Sequence, residues 1–389
     1  MNTLFTHTTK ILFKGKVLIG IILLVHTFNA IGQEANANLT IIDLTKCSDD
    51  RIKLSEFTSE ITYLPLETKD ESLINRNARF YLYDSVIVCC AYHQILLFNS
   101  EDGRFLRSIG EYGKGSLEFS NSRDSYKKGN EIIIDAFGWQ YPLIEYSVNG
   151  TLLQRIKPTY FSSDIYWLED SMYVLYHEKN SNSDTIRFQI FDPFNNIVLH
   201  SFYDFRKYID TNRYTKYRTH FYRYGGDLFV KEFFNDTVFK VTKENLIPKI
   251  VFKSGKYSPP FYKKDIINPH DFYYIHSILE TNDYIFFQLV INKRTYYCYS
   301  DKRRNRVVVP NPTYPQNNSF INDVDNFISF KPTTISDTNV LVGVIQPYEI
   351  KKWFDENEER VFKLPRQLLQ FKNIDENDNP VLMLVKLKD

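Results

Sequence analysis

The feature that most constrains this chain is a recurring unit: a polar turn feeding a strand of alternating or continuous apolar residues. It appears at Asp84-Ser85 before VIVCCAY, Gly129-Asn130 before EIIIDAF and Glu169-Asp170-Ser171 before MYVLYHE. It returns at Gly225-Gly226-Asp227 before LFVKEFF, Asn282-Asp283 before YIFFQLVI and Asp337-Thr338-Asn339 before VLVGVIQ. Short aromatic segments such as RFYLY, DIYWL, HFYRY and YYIHSIL precede most of these turns. Behind each of the first five strands comes another turn and strand: ILLF, PLIEYSV, TIRFQIF, TVFKV and TYYCYS. A further turn opens a fourth strand, as at Asp102-Gly103 before RFLRSI and Asn149-Gly150 before TLLQRI. Asp-Gly and Asn-Gly between apolar runs are strong hairpin signals, because their residues accept the left-handed backbone that tight β-turns require. Four antiparallel strands per unit, repeating every roughly 40 to 58 residues, is the pattern of propeller blades.

Six such units predict an all-β, six-bladed β-propeller of four-stranded antiparallel blades. The sixth departs from the pattern. After VLVGVIQ, the spacing of Ile350, Trp353, Phe354, Val361 and Leu364, with Pro365 interrupting, predicts a short helical insertion in the last blade. The chain then ends on PVLMLVKLK, which leaves that blade one strand short. The unassigned strand is ITYLPL, Ile61 to Leu66, whose Pro65 suits a sheet edge. Closing the ring with it removes the open edges of an unclosed array.

The N-terminus carries Lys10, Lys14 and Lys16, then VLIGIILLV, then Ala30-Ile31-Gly32. This is the pattern of a secretory signal peptide over residues 1–32, with a lead at 33–55 and the propeller at 56–389. An uncleaved anchor is the alternative, but the apolar run is short for a bilayer, and no membrane span is expected once the leader is removed. The expected location is the periplasm or cell envelope. Of the four cysteines, adjacent Cys89 and Cys90 on one strand point to opposite faces and read as buried small hydrophobes. Cys47 and Cys298 are free to pair or not. With 48 basic and 47 acidic side chains, the balance offers no clustered charge for nucleic acid.

The chain resembles the six-bladed, NHL-like β-propeller proteins of unknown function found in the envelopes of Bacteroides-type bacteria. The matching stretches are ITYLPLETKDESLI, ILLFNSEDGRFLRSIGEYGKG and the closing KNIDENDNPVLMLVKLK. Ser116-Leu117 departs from the Pro-Gly that often follows the glycine loop in that family. The resemblance implies fold and compartment, and it brings no catalytic residues.

Motif by motif, little chemistry stands out. Gly110, Gly113 and Gly115 lie between two strands and open no helix, so they read as a turn between blades rather than a phosphate cradle. His270 and His276 lack a diagnostic ligand spacing, and DKRRNR reads as a solvated hairpin tip. Topology says more. The loops joining strands two and three share one face with the inter-blade connections, and concave channel mouths favour ligands. Those loops nominate Tyr92, His93, Trp139, Tyr141, His177, Glu178, Asn235, Lys293, Arg294 and Tyr348. With 31 Phe and 28 Tyr in the chain, such aromatics serve either as core filling or as a sugar-stacking surface. The preferred expectation is a binding or scaffold module for a glycan, a peptide or an envelope protein partner, with no cofactor. The alternative is a lyase or hydrolase acting on a glycan or lactone-like substrate, with His93 or His177 as base, Glu178 nearby and a divalent cation in the channel.

Overall fold

A computed structural model describes residues 39–46, 48, 51–75, 77–159, 162–177, 185–203, 219–232, 235–258, 272–311 and 318–388. The signal segment, Cys47, Glu178 and His270 lie outside the described residues. Six sheets follow one another around a ring, as the turn pattern predicts.

Blade 1 is built from Arg79–Leu82, Val86–Ala91, Gln94–Asn99 and Phe105–Ser108. Blade 2 comprises Asn121–Lys128, Glu131–Phe137, Leu143–Ser147 and Leu152–Ile156, and blade 3 Asp164–Glu169, Met172–Tyr176, Ile186–Asp192 and Ile197–Tyr203. Blade 4 holds His220–Tyr224, Asp227–Lys231, Thr237–Val241 and Leu246–Lys253, and blade 5 Tyr274–Glu280, Tyr284–Ile291, Arg294–Asp301 and Arg306–Val308. In every sheet the first strand lies at one edge, and the first strands of neighbouring blades approach each other around the channel.

Blade 6 takes three strands from the C-terminal region, Pro332–Ile335, Val340–Ile345 and Val381–Lys386, and its outer strand from Ile61–Pro65. That strand pairs antiparallel with the last one, Ile61 opposite Val385 and Pro65 opposite Val381. The Ile61–Pro65 strand and the C-terminal strand are therefore locked into one sheet, and the ring closes as expected. The apolar piece within the 33–55 lead does something the sequence reading does not anticipate. Thr40–Asp43 adds in parallel to the outer strand of blade 4, giving that sheet five strands.

The core lies in the seams between blades. Cys89 packs with Leu64, Phe98 and Leu382 between blades 6 and 1, whereas Cys90 packs with Ile134 and Tyr146 between blades 1 and 2, so the two thiols do face opposite ways. The largest apolar cluster joins blades 5 and 6 to the insertion in blade 6. There a helix at Pro347–Glu356 buries Ile350 and Phe354, and Trp353 packs edge-on against Phe327 at 4.8 Å. The seam between blades 2 and 3 is different: its buried apolar cluster is small, with Leu143, Ile156, Ile165, Tyr173, Leu175 and Phe191. Its inner half is polar.

Candidate functional site

On the loop face, four of the nominated residues are drawn together by the connection between blades 1 and 2. His93 sits in the left-handed region, φ +68°, in the tight turn of blade 1. Its ring lies 3.8 Å from Tyr92 on one side and 3.7 Å from Tyr112 on the other, centroid to centroid. Tyr112 belongs to the glycine-rich connection, whose backbone is held by bonds from Phe119 N–H to the Glu111 carbonyl and from Gly113 N–H to the Phe119 carbonyl. From the same loop, Lys114 Nζ stands 5.6 Å over the Trp139 ring of blade 2. Arg155 lies 4.8 Å over Tyr141 and donates to the Ser116 carbonyl at 3.1 Å. Tyr92, Tyr112, Leu117 and Trp139 are 59, 55, 60 and 65% exposed. The result is an aromatic ridge joined through one loop, with two cations set into it.

The other nominated residues that the structure describes remain on their separate blade tips. His177 Nε2 meets Gln189 Oε1 at 2.8 Å within blade 3, and Asn235 accepts from the Thr237 N–H at 3.1 Å to brace its own turn. Lys293 and Arg294 form the exposed tip of blade 5, and Tyr348, 60% exposed, opens the helix of blade 6. Sequence reasoning missed Tyr112, Lys114 and Arg155. The signal was there in GEYGKG, an aromatic and a cation between glycines, but it was read only as a turn.

A second constellation lies in the polar half of the blade 2–blade 3 seam. On blade 2, Asp124 pairs with Asp135 across the first two strands, and Asp135 with Glu145 across the next two. Gln154 on the fourth strand lies opposite Glu145, so a row of three carboxyls and an amide crosses the whole blade. Directly opposite positions bring side chains to about 5 Å, and like charges there repel. Asp135 and Glu145 are each only 2% exposed. Glu145 is well satisfied, accepting from Tyr126 Oη at 2.8 Å, Tyr173 Oη at 2.6 Å and Gln154 Nε2 at 2.5 Å. Asp135 Oδ1 has no hydrogen-bond partner. Burial first, and Glu145 opposite second, push the Asp135 carboxyl well above the usual carboxylate range, favouring its neutral form.

Cations reach this row from three blades. A bulge between Ser122 and Asp124 turns Arg123 toward blade 3, where it meets Asp164 at 2.5 Å and the Ile165 carbonyl at 2.9 Å. Arg223 crosses from blade 4, lies 4.7 Å over Tyr126 and 4.6 Å over Trp167, and donates to the Trp167 carbonyl. Lys128 stands 5.6 Å over the other part of this stack, at Trp167. Arg79, on the first strand of blade 1, is held further toward its charged form by Tyr81 first and then by Asp124. Among the described residues, no three His, Cys, Asp or Glu side chains have the geometry to hold a metal ion.

The model of a family designated a domain of unknown function, DUF4934, matches residues 39–386. The chain belongs to the DUF4934 family. No curated protein matches this DUF4934 chain. Among solved structures, a Bacteroides fragilis protein provisionally described as exported aligns over 90% of this chain and 100% of its own, with a TM-score of 0.66 and 18% identity. At that identity the likeness is one of fold. The extracellular domain of a provisionally assigned one-component system from B. thetaiotaomicron aligns over 73% of this chain and 32% of its own, at 11% identity and a TM-score of 0.37. Among the described residues of this DUF4934 propeller, no helix is long and apolar enough to cross a membrane.

Proposed function

We propose that this protein is an exported, envelope-side binding module that takes a glycan on the aromatic ridge of blades 1 and 2. The observation that carries the reading is the ridge itself: Tyr92, Tyr112 and Trp139 are each more than half exposed on one loop face, with His93 stacked between the two tyrosines. Side chains of this size normally bury their rings, and a contiguous exposed set marks an interaction surface. Sugar rings present flat C–H faces that stack on such rings, while Lys114 and Arg155 supply donors for hydroxyl or carboxylate oxygens. Export is supported by the N-terminal pattern of lysines, apolar run and small residues, and by the description of the B. fragilis protein of the same fold. Among the described residues nothing favours the acid–base alternative: the His93 ring is held between two tyrosines and His177 bonds Gln189 two blades away.

Retention on immobilised polysaccharides tests the reading. A lost ring stack is worth about 0.5–1.5 kcal/mol, so Trp139→Ala and Tyr92→Ala should each weaken binding roughly two- to tenfold, and the double variant more. Retention of the double variant equal to wild type on every polysaccharide that holds the wild type overturns the glycan reading. Binding of peptides but not polysaccharides overturns it too.

A further inference from the structure

We propose that the inner half of the seam between blades 2 and 3 is a second binding site, for a small carboxylate held between the guanidinium groups of Arg123 and Arg223 and the carboxyl of Asp135. Three buried polar atoms of this seam lack hydrogen-bond partners, Arg123 Nη1, Arg223 Nη1 and Asp135 Oδ1, and both guanidinium groups are near enough to Asp135 to act on its charge. Leaving a buried donor or acceptor unmade is costly, and native interiors rarely tolerate it without a reason. The three orphans are also chemically matched. Two guanidinium N–H groups and one carboxylic O–H are three donors, and a carboxylate is acceptor-only, with two oxygens able to take them all.

The rest of the seam fits the same ligand. Glu145 is occupied by two tyrosine hydroxyls and Gln154, so it does not compete for the orphaned guanidinium nitrogens. Arg123 spends Nη2 on Asp164 and Ile165, and Arg223 spends Nη2 on Trp167, which leaves the same nitrogen of each fork unused. Both forks are held by their other contacts, so little order remains to be imposed on binding. Arg123, Lys128 and Arg223 border a seam whose carboxylates are Asp124, Glu145 and Asp164. The channel-side edge of the seam is formed by Arg123, Asp124 and Asp164, which lie on first strands and are partly exposed.

The test uses the whole protein and three probes at matched ionic strength: glucuronate, its methyl ester and inorganic phosphate, followed by calorimetry and thermal shift. Saturable binding of glucuronate, with the neutral ester at least tenfold weaker, is the expected result. Arg223→Gln should weaken glucuronate at least tenfold, whereas Asp135→Asn, which keeps a donor of the same shape, should stay within a few-fold of wild type. The proposal is overturned if glucuronate does not saturate, if the ester binds equally, or if phosphate binds as tightly as glucuronate. Should the Arg223 variant fail to fold, Arg123→Gln takes its place, and Trp139→Ala, which cuts the ridge, should leave glucuronate binding unchanged; loss of glucuronate with the ridge variant instead overturns the proposal.

Discussion

One buried amide clasps the ring closure that the Ile61–Pro65 strand makes. Asn379 precedes the last strand and is 4% exposed. Its Nδ2 donates to the Glu67 carbonyl at 2.7 Å and the Ser72 carbonyl at 2.8 Å, and its Oδ1 accepts from the Ile74 N–H at 2.9 Å. The backbone N–H of Asn379 adds a bond to Thr68 Oγ1 at 2.9 Å, which a side-chain change leaves in place. The side chain thus ties the C-terminal strand to the segment that leads from the closing strand into blade 1. Asn379→Ala removes three hydrogen bonds, each worth about 1 kcal/mol net, and strands two carbonyls and one N–H in a buried place. The expected loss is about 3–5 kcal/mol. Urea unfolding followed by tryptophan fluorescence measures it: with a slope of about 3 kcal/mol/M, the midpoint should fall by at least about 1 M. Asn379→Asp should be no milder, because it keeps the acceptor for Ile74 but sets a carboxylate against two carbonyl oxygens. A midpoint shift below about 0.3 M for the alanine variant would refute the reasoning, since the clasp would then add less than a single ordinary hydrogen bond.

His220 predicts a loss of stability in acid. Its Nε2 accepts the Ile278 N–H at 3.1 Å, which only the neutral ring can do, and burial holds its pKa down to about 3 against an ordinary 6.5. A base whose folded pKa is lowered contributes stability above about pH 6.5 and loses it as pH falls toward 3, so going from pH 7.5 to pH 5 should cost about 2 kcal/mol from this residue. His220→Gln should flatten that part of the profile, and an unchanged pH slope in urea midpoints contradicts it. Gly343→Ala would place a methyl carbon 2.6 Å from the Phe330 ring and 3.1 Å from the Lys331 carbonyl, so thermal unfolding should report a loss of about 1–3 kcal/mol. A neutral result there would mean the blade 6 core is looser than its packing indicates.

The blades were legible because their punctuation is local. Gly103 and Gly150 take φ of +73° and +86°, and Asp170, Asn196, Asn305 and Asn339 also adopt the left-handed backbone, at the turns where the sequence offers these residues. The closing strand was legible by subtraction, since one blade lacked a strand and one strand lacked a blade. The parallel pairing of Thr40–Asp43 with blade 4 carried no such signal: four residues, joined to a partner some 200 positions away, leave no periodicity to read. The acid row fails for the same reason in sharper form. Asp124, Asp135 and Glu145 each sit in a different strand, and nothing in EIIIDAF or LIEYS says that the two carboxyls face each other, because a shift of one residue would put them on opposite sides of the sheet. Arg223 is harder still, arriving from a blade that is not a sequence neighbour of the row it completes. Both candidate sites therefore depend on the ring for their geometry. The ridge needs blades 1 and 2 side by side, and the seam needs blades 2, 3 and 4 in order, so any variant that opens the closure at Asn379 should weaken binding at either site only as far as it loosens those seams.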